Sequence, residues 1–253
     1  MKKISKYFSI VNFILKINLT SLKDILKKNK FSINFKNYLN VHNLTSKFRQ
    51  KLIEWMLKVR KSFSFSFQTF FRSITILDRY VCGLKNKLTL ERFHLIGSVS
   101  LLIASKMDEV DPLTNLNVQE DLCHKRWTLK EILEEEKNIS FVLNFDFNFS
   151  SYFNLMYSFF EILNLEKEAK KFISEKSEIL LKLVILPLEF ISKFSFIEIP
   201  IYVLIVSLKL FEHKNKLNIF KNEVSHLLSF LKEDQKEIIR NLNEIRIYIK
   251  SML

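Results

Sequence analysis

The chain has 253 residues, 48% hydrophobic and 26% charged, enough apolar material for one or two cores and too much for a disordered tail. Two glycines and three prolines are too few for the tight connections of an all-β fold or for a glycine-rich phosphate loop, so an all-α protein is expected. The formal charge of +13 is concentrated at one end: residues 1–60 hold fourteen Lys/Arg against Asp24 and Glu54, a balance of +12 that leaves +1 for the remainder.

Residues 1–43 read as a basic opening segment with room for a packing helix, its charge a solvated face rather than a dedicated nucleic-acid patch. Met1-Lys2-Lys3 followed by Tyr7–Ile17 has the order of a signal peptide, but Asn12 and Lys16 interrupt the apolar run and no small-residue cleavage site comes after it. Helical periodicity then begins with Phe48, Leu52, Trp55, Met56 and Val59 on one face, with Thr45 or Ser46 as the cap. A second helix opens at Ser66, carries Phe67, Phe70, Phe71, Ile74, Leu77 and Val81, and is expected to end at Gly83 in a left-handed conformation. A third starts at Thr89 and is apolar all round from Leu95 to Ile103, with Gly97 permitting a close helix approach. Val118–His124 makes a short helix, and Thr128-Leu129-Lys130-Glu131 has the spacing of a capping box that starts a helix running to about Leu143.

A second helical block comes after Ser150 and Ser151. Its expected helices are Tyr152–Leu163, Glu168–Lys193 with a break near Pro187, Pro200–Glu212, Lys221–Leu231 and Glu233–Ser251. The most apolar run in this block, Ile199–Phe211, is too short to cross a bilayer and contains Lys209. Cys82 and Cys123 stand apart, without a CxxC or a His-rich neighbourhood, so they read as small core residues of a reducing compartment. No nucleophile motif, zinc spacing or cofactor-binding signature appears, and the five histidines are scattered; nothing points to an enzyme, a cofactor or a metal.

Four stretches in order resemble the first cyclin box. They are Phe48-Arg49-Gln50-Lys51-Leu52-Ile53-Glu54-Trp55-Met56, Ile76-Leu77-Asp78-Arg79-Tyr80, Leu101–Glu109, and Glu134-Glu135-Glu136 leading into Val142–Phe147. The resemblance covers about a hundred residues, the usual span of a domain. It implies two tandem five-helix cyclin-fold domains, an N-terminal box over 44–149 and a cyclin-like domain over 150–253, the second resting on helix pattern and on Phe196–Leu210 alone. The first box resembles those of cell-cycle cyclins, the mitotic B-type among them, more than those of transcriptional cyclins.

The positions that typify the box fall on Arg49, Asp78, Leu95, Lys106 and Glu136, all with the family's residue type. The resemblance implies that Arg49 and Asp78 pair inside the box, a structural role, and that Lys106 and Glu136 lie side by side and hydrogen-bond the backbone of a cyclin-dependent protein kinase. It places Leu95, Ile103, Met107, Phe145 and Phe147 toward that kinase; a core role is the alternative for each. Three donors on a lysine and the acceptors of a glutamate suit a partner's carbonyl and amide. A docking patch for substrate or inhibitor peptides would consist of Phe48, Leu52 and Trp55. There the sequence departs from the family, because Lys58 stands where an acidic residue commonly meets an incoming arginine and His94 replaces a frequent glutamine.

The expected function is a regulatory subunit that binds and activates such a kinase in a one-to-one complex in cell-cycle control, in the nucleus or cytoplasm. Only about forty residues precede the box, shorter than the disordered regulatory tail of many mitotic cyclins. A cyclin-fold nucleic-acid-binding protein similar to transcription factor IIB is the rival; the nearly neutral second block argues against it. A kinase-binding scaffold that does not activate is the third reading.

Overall fold

A computed structural model describes residues 39–215, 220–231 and 235–252. The opening segment up to residue 38 and the expected helix start at Glu233 lie outside them. The described residues are helical, with no strand among them. They divide into two compact units, one of residues 39–151 with 185–193 and one of 152–184 with the residues from 194 onward.

The first unit contains α1 (Ser46–Ser62), α2 (Phe67–Gly83), α3 (Leu90–Asp108), α4 (Asn115–Asn117), a π-helical turn over Val118–Leu122, and α5 (Leu129–Val142). Three starts are set by local chemistry. Ser66 and Thr89 accept hydrogen bonds from the backbone N–H of Thr69 and Arg92, satisfying donors that the first helical turn leaves free. Thr128 and Glu131 form the expected reciprocal box. Thr45 occupies the cap position of α1, but its side chain makes no capping bond.

Helix α3 is the centre of this unit, packed by α1, α2 and α5. Its residues from Leu95 to Ser105 are all buried, which explains why its sequence lacks a polar face. Gly97 supplies the close approach: a Cβ there would lie 2.9 Å from Leu52 Cδ1. Gly83 corrects an expectation. It does not take a positive φ; it is the last residue of α2, and a Cβ there would meet Val142 Cγ1 at 3.1 Å, so its smallness serves packing rather than chain reversal.

The second unit contains α6 (Tyr152–Phe160), α7 (Lys167–Val184), α9 (Glu198–Asn215), α10 (Lys221–Leu228) and α11 (Gln235–Met252); the intervening turn α8 (Leu188–Ile191) groups with the first unit. Helix α9, buried from Ile199 to Leu208, is its centre and touches α6, α7, α10 and α11. Pro200 is tolerated because it lies in the first turn, where its missing N–H has no helical partner to lose. The long segment expected over Glu168–Lys193 is interrupted as anticipated at Pro187, but the residues beyond the break, 188–193, pack in the first unit.

Candidate functional site

The C-terminal end of α3 is fixed by charges that the sequence did not single out. Arg72 clasps Asp108 through two bonds, Nε to Oδ2 at 2.6 Å and Nη2 to Oδ1 at 3.0 Å, and Gln68 adds a third at 2.8 Å. The remaining Arg72 nitrogen donates to the carbonyl of Phe147 at 3.0 Å. One guanidinium thus joins α2, α3 and the chain after α5, using the planar fork that suits arginine to this task. Glu109 accepts from the backbone N–H of Ser66 at 2.8 Å and from the Thr69 hydroxyl. Burial alone raises its carboxyl, but those hydrogen bonds and the nearby Arg60 charge outweigh it and hold the group below the ordinary carboxylate range.

The rotation of α5 is set in a similar way. Glu135 is buried and accepts from the Tyr80 hydroxyl at 2.8 Å and from Arg92 Nε at 3.1 Å. Burial, with the negative charge and hydrogen bond of Glu135 as the next causes, pushes the Tyr80 phenol well above its ordinary value. With Glu135 turned inward, the next residue lies about 100° round the helix. Glu136 therefore emerges beside the last turn of α3, and Lys106 Nζ donates to its Oε1 at 2.6 Å. Their side chains are 42% and 20% exposed. This single bond leaves further ammonium hydrogens and Glu136 Oε2 without a partner among the described residues.

The apolar residues that the resemblance places toward a kinase differ in exposure. Met107 is exposed, Phe147 half-buried, and Phe145 is 63% exposed. Phe145 also has a φ of 55°, next to Asn144 at 52°. A left-handed backbone costs a non-glycine residue roughly 1–2 kcal/mol, and here it turns the chain sharply out of α5. Phe141, outside the residues that the resemblance points to, is exposed and meets Phe145 edge-on, with ring centroids 5.2 Å apart. Leu95 and Ile103 correct the expectation. Both are buried in the interior of α3's own unit, so neither offers side-chain area to a partner.

Arg49 and Asp78 form a different kind of pair. Arg49 Nε and Nη2 bond the two carboxylate oxygens at 2.9 and 2.7 Å, and both side chains are essentially inaccessible, at 0% and 1%. Arg49 Nη1 adds the carbonyls of Ile185 and Leu186 at 2.9 and 3.2 Å, anchoring the start of the 185–193 segment. Of the possible docking patch, Phe48 and Trp55 are half-buried, while Leu52 is buried against Gly97 and presents little area. The Trp55 ring lies 4.3 Å from His94. Burial, reinforced by the charges of Arg126 and His124, pushes the His94 imidazole down, and Lys58 is exposed.

Among the described residues, no group of three His, Cys, Asp or Glu gathers as a metal set, and no helix is long and apolar enough to cross a membrane. What the geometry offers is an exposed polar pair on a braced edge, within an all-α fold of two helical units. The family profile described as "Cyclin, N-terminal domain" matches residues 21–148. The chain belongs to the cyclin family.

Similar proteins include Cyclin-B2-1 of Arabidopsis thaliana, 28% identical over 131 residues that make up 51% of this chain and 29% of that protein. G2/mitotic-specific cyclin-3 of Saccharomyces cerevisiae is 29% identical over 128 residues, 49% of this chain and 27% of the relative. G2/mitotic-specific cyclin-4 of Candida albicans is 31% identical over 122 residues, 47% and 24% of the respective chains. The matched segment thus spans less than a third of the length of each of these relatives. Among solved structures, a viral cyclin from herpesvirus saimiri superposes with a TM-score of 0.74 at 19% identity, covering 92% of this chain and 97% of that one. That likeness establishes the fold.

Proposed function

We propose that this chain is the regulatory subunit of a cyclin-dependent Ser/Thr protein kinase, acting in cell-cycle control in the nucleus or cytoplasm and binding its kinase one to one. Residues 44–149 act as the N-terminal box and 150–253 as a divergent cyclin-like domain, with 185–193 packed back onto the first. The reading rests on one observation: Lys106 and Glu136 share a 2.6 Å bond at a solvent-exposed edge with unused donors and acceptors.

A partner's backbone carbonyl would take a free lysine hydrogen, and a backbone amide would donate to the free glutamate oxygen. Met107, Phe145 and Phe147 would supply apolar contact around that polar centre, the arrangement in which interface aromatics contribute most. Activation comes from preference. A kinase transfers phosphate only when its αC glutamate meets the β3 lysine, so a surface that binds the inward-turned αC conformer more tightly shifts the population toward it.

The test is purification of the full chain from its own cells, identification of the associated kinase by mass spectrometry, and assay of the complex on a Ser/Thr substrate. Activity in the complex well above that of the kinase alone is expected. Association without stimulation would favour the scaffold, while steeply salt-dependent DNA binding with no associated kinase would favour the nucleic-acid rival.

A further inference from the structure

The outward face of α11, in the second unit, has an organisation that the helix's own packing does not require. Ile238, Asn241, Ile245 and Ile249 are buried. Between Lys236 and Lys250, the exposed residues are Lys236, Ile239, Arg240, Asn243, Arg246, Ile247 and Lys250. At helical spacing these seven fall within about 120° of arc, a third of the circumference. Four are cationic and two are bare isoleucines, 59% and 68% exposed.

Three of the four charges have no carboxylate partner among the described residues: Arg240 pairs with Glu237 at 2.5 Å, whereas Lys236, Arg246 and Lys250 pair with none. Lys236 with Arg240 and Arg246 with Lys250 are like charges one turn apart, a spacing that disfavours an isolated helix. Two β-branched aliphatic side chains held in water beside them add nothing to the stability of this unit. Cost on both counts without intramolecular return is the pattern of a surface that meets something else.

The pattern is also symmetric about Asn243: Arg240 and Arg246, Ile239 and Ile247, and Lys236 and Lys250 lie at equal distances on either side. An antiparallel second copy would set isoleucine against isoleucine, but it would also bring Lys236 to Lys250 and Arg240 to Arg246 of the other copy, a repulsive arrangement. The basic opening segment of the chain itself, nine lysines against Asp24 in residues 1–38, carries the wrong sign. Phosphates of a nucleic acid would use the cations and leave both isoleucines wet. A membrane would find only two side chains to insert.

We propose that this face docks an acidic segment of a partner protein, a helix carrying two apolar side chains about two turns apart, with carboxylates between and outside them. The two apolar groups cover Ile239 and Ile247, which lie about 12 Å apart along the helix axis. The carboxylates meet Arg240 and Arg246 in the middle and Lys236 and Lys250 at the ends. Because the face is symmetric, the segment binds in either direction.

The probe is a short fluorescein-labelled helical peptide with two leucines two turns apart and glutamates around them, titrated with the full chain and read by anisotropy. Saturable binding is expected. Ile239→Ser with Ile247→Ser, and separately Arg240→Glu with Arg246→Glu, should each weaken it about tenfold or more, with unchanged helicity because all four side chains face water. Ile239→Leu with Ile247→Leu should retain binding. No binding by the natural chain, or binding that survives either disruptive pair, overturns the proposal. So does a DNA duplex or a phosphatidylserine vesicle that binds as tightly as the peptide and is indifferent to Ile→Ser, or self-association that the same Ile→Ser pair abolishes.

Discussion

Arg49–Asp78 and Lys106–Glu136 are both cation–carboxylate pairs joining helices of the first unit, at 2.7 and 2.6 Å. Their surroundings separate them. Arg49 is sealed from solvent, and its Nε and both Nη nitrogens donate to protein oxygens. Lys106 is nearly half exposed and makes one bond. A buried charge stripped of its partner is strongly destabilising, whereas an exposed pair contributes little to folding and retains bonding capacity for another molecule. The same two functional groups can therefore hold a domain together or recognise a partner, according to burial and to how many of their bonds are already spent.

The largest effect expected from that contrast is on stability. Asp78→Ala leaves the Arg49 guanidinium buried without its counter-charge and should cost about 3–5 kcal/mol in urea or thermal unfolding, a large part of a typical domain's stability. A loss under about 1 kcal/mol would erase the distinction between the pairs. Arg72→Met should rank next, at about 2–3 kcal/mol, because Asp108 loses its clasp and the Phe147 carbonyl its donor. It should also loosen the 145–147 segment, visible as faster amide exchange there than in α3. Lys106→Met should be the mildest, shifting unfolding by less than about 1 kcal/mol since the pair it breaks is wet.

Legibility in the sequence divides along the same physical line. Features encoded locally could be read: the Thr128–Glu131 box, the helix start at Ser66, the proline break at 187 and the all-apolar α3 each depend on residues within one or two helical turns. Gly97 was readable because a glycine inside an apolar helix implies a close neighbour, although nothing in the letters named Leu52. Gly83 shows the opposite case. A terminal glycine commonly caps in the left-handed region, yet here the chain exits extended and the absent side chain makes room for Val142.

The candidate site was legible in its polar centre and not in its frame. Lys106 and Glu136 were reached through a family resemblance, since thirty residues of separation carry no periodic signal. Arg72, Asp108, Glu135 and Tyr80, which orient them, looked like ordinary helix residues because their partners lie 36 to 75 positions away. The exposed turn at Asn144 and Phe145 escaped notice because a positive φ on a phenylalanine is imposed by its surroundings rather than by its own preference. Leu95 and Ile103 were drawn to the surface by their positions in the motif, although the unbroken apolar run around them already marked a core.

The central claim is that the Lys106–Glu136 pair is kept for a partner. The most direct measurement is the affinity of the associated kinase for Lys106→Glu combined with Glu136→Lys, beside a thermal melt of the same protein. The exchange preserves the attraction between the two side chains while inverting what they present outward, so the melt should be unchanged. Association should fall by about thirtyfold or more, the scale set by the roughly 2–5 kcal/mol that mismatched charges cost at a desolvated interface. Full affinity in a variant with native helicity and an unshifted melt would contradict the account.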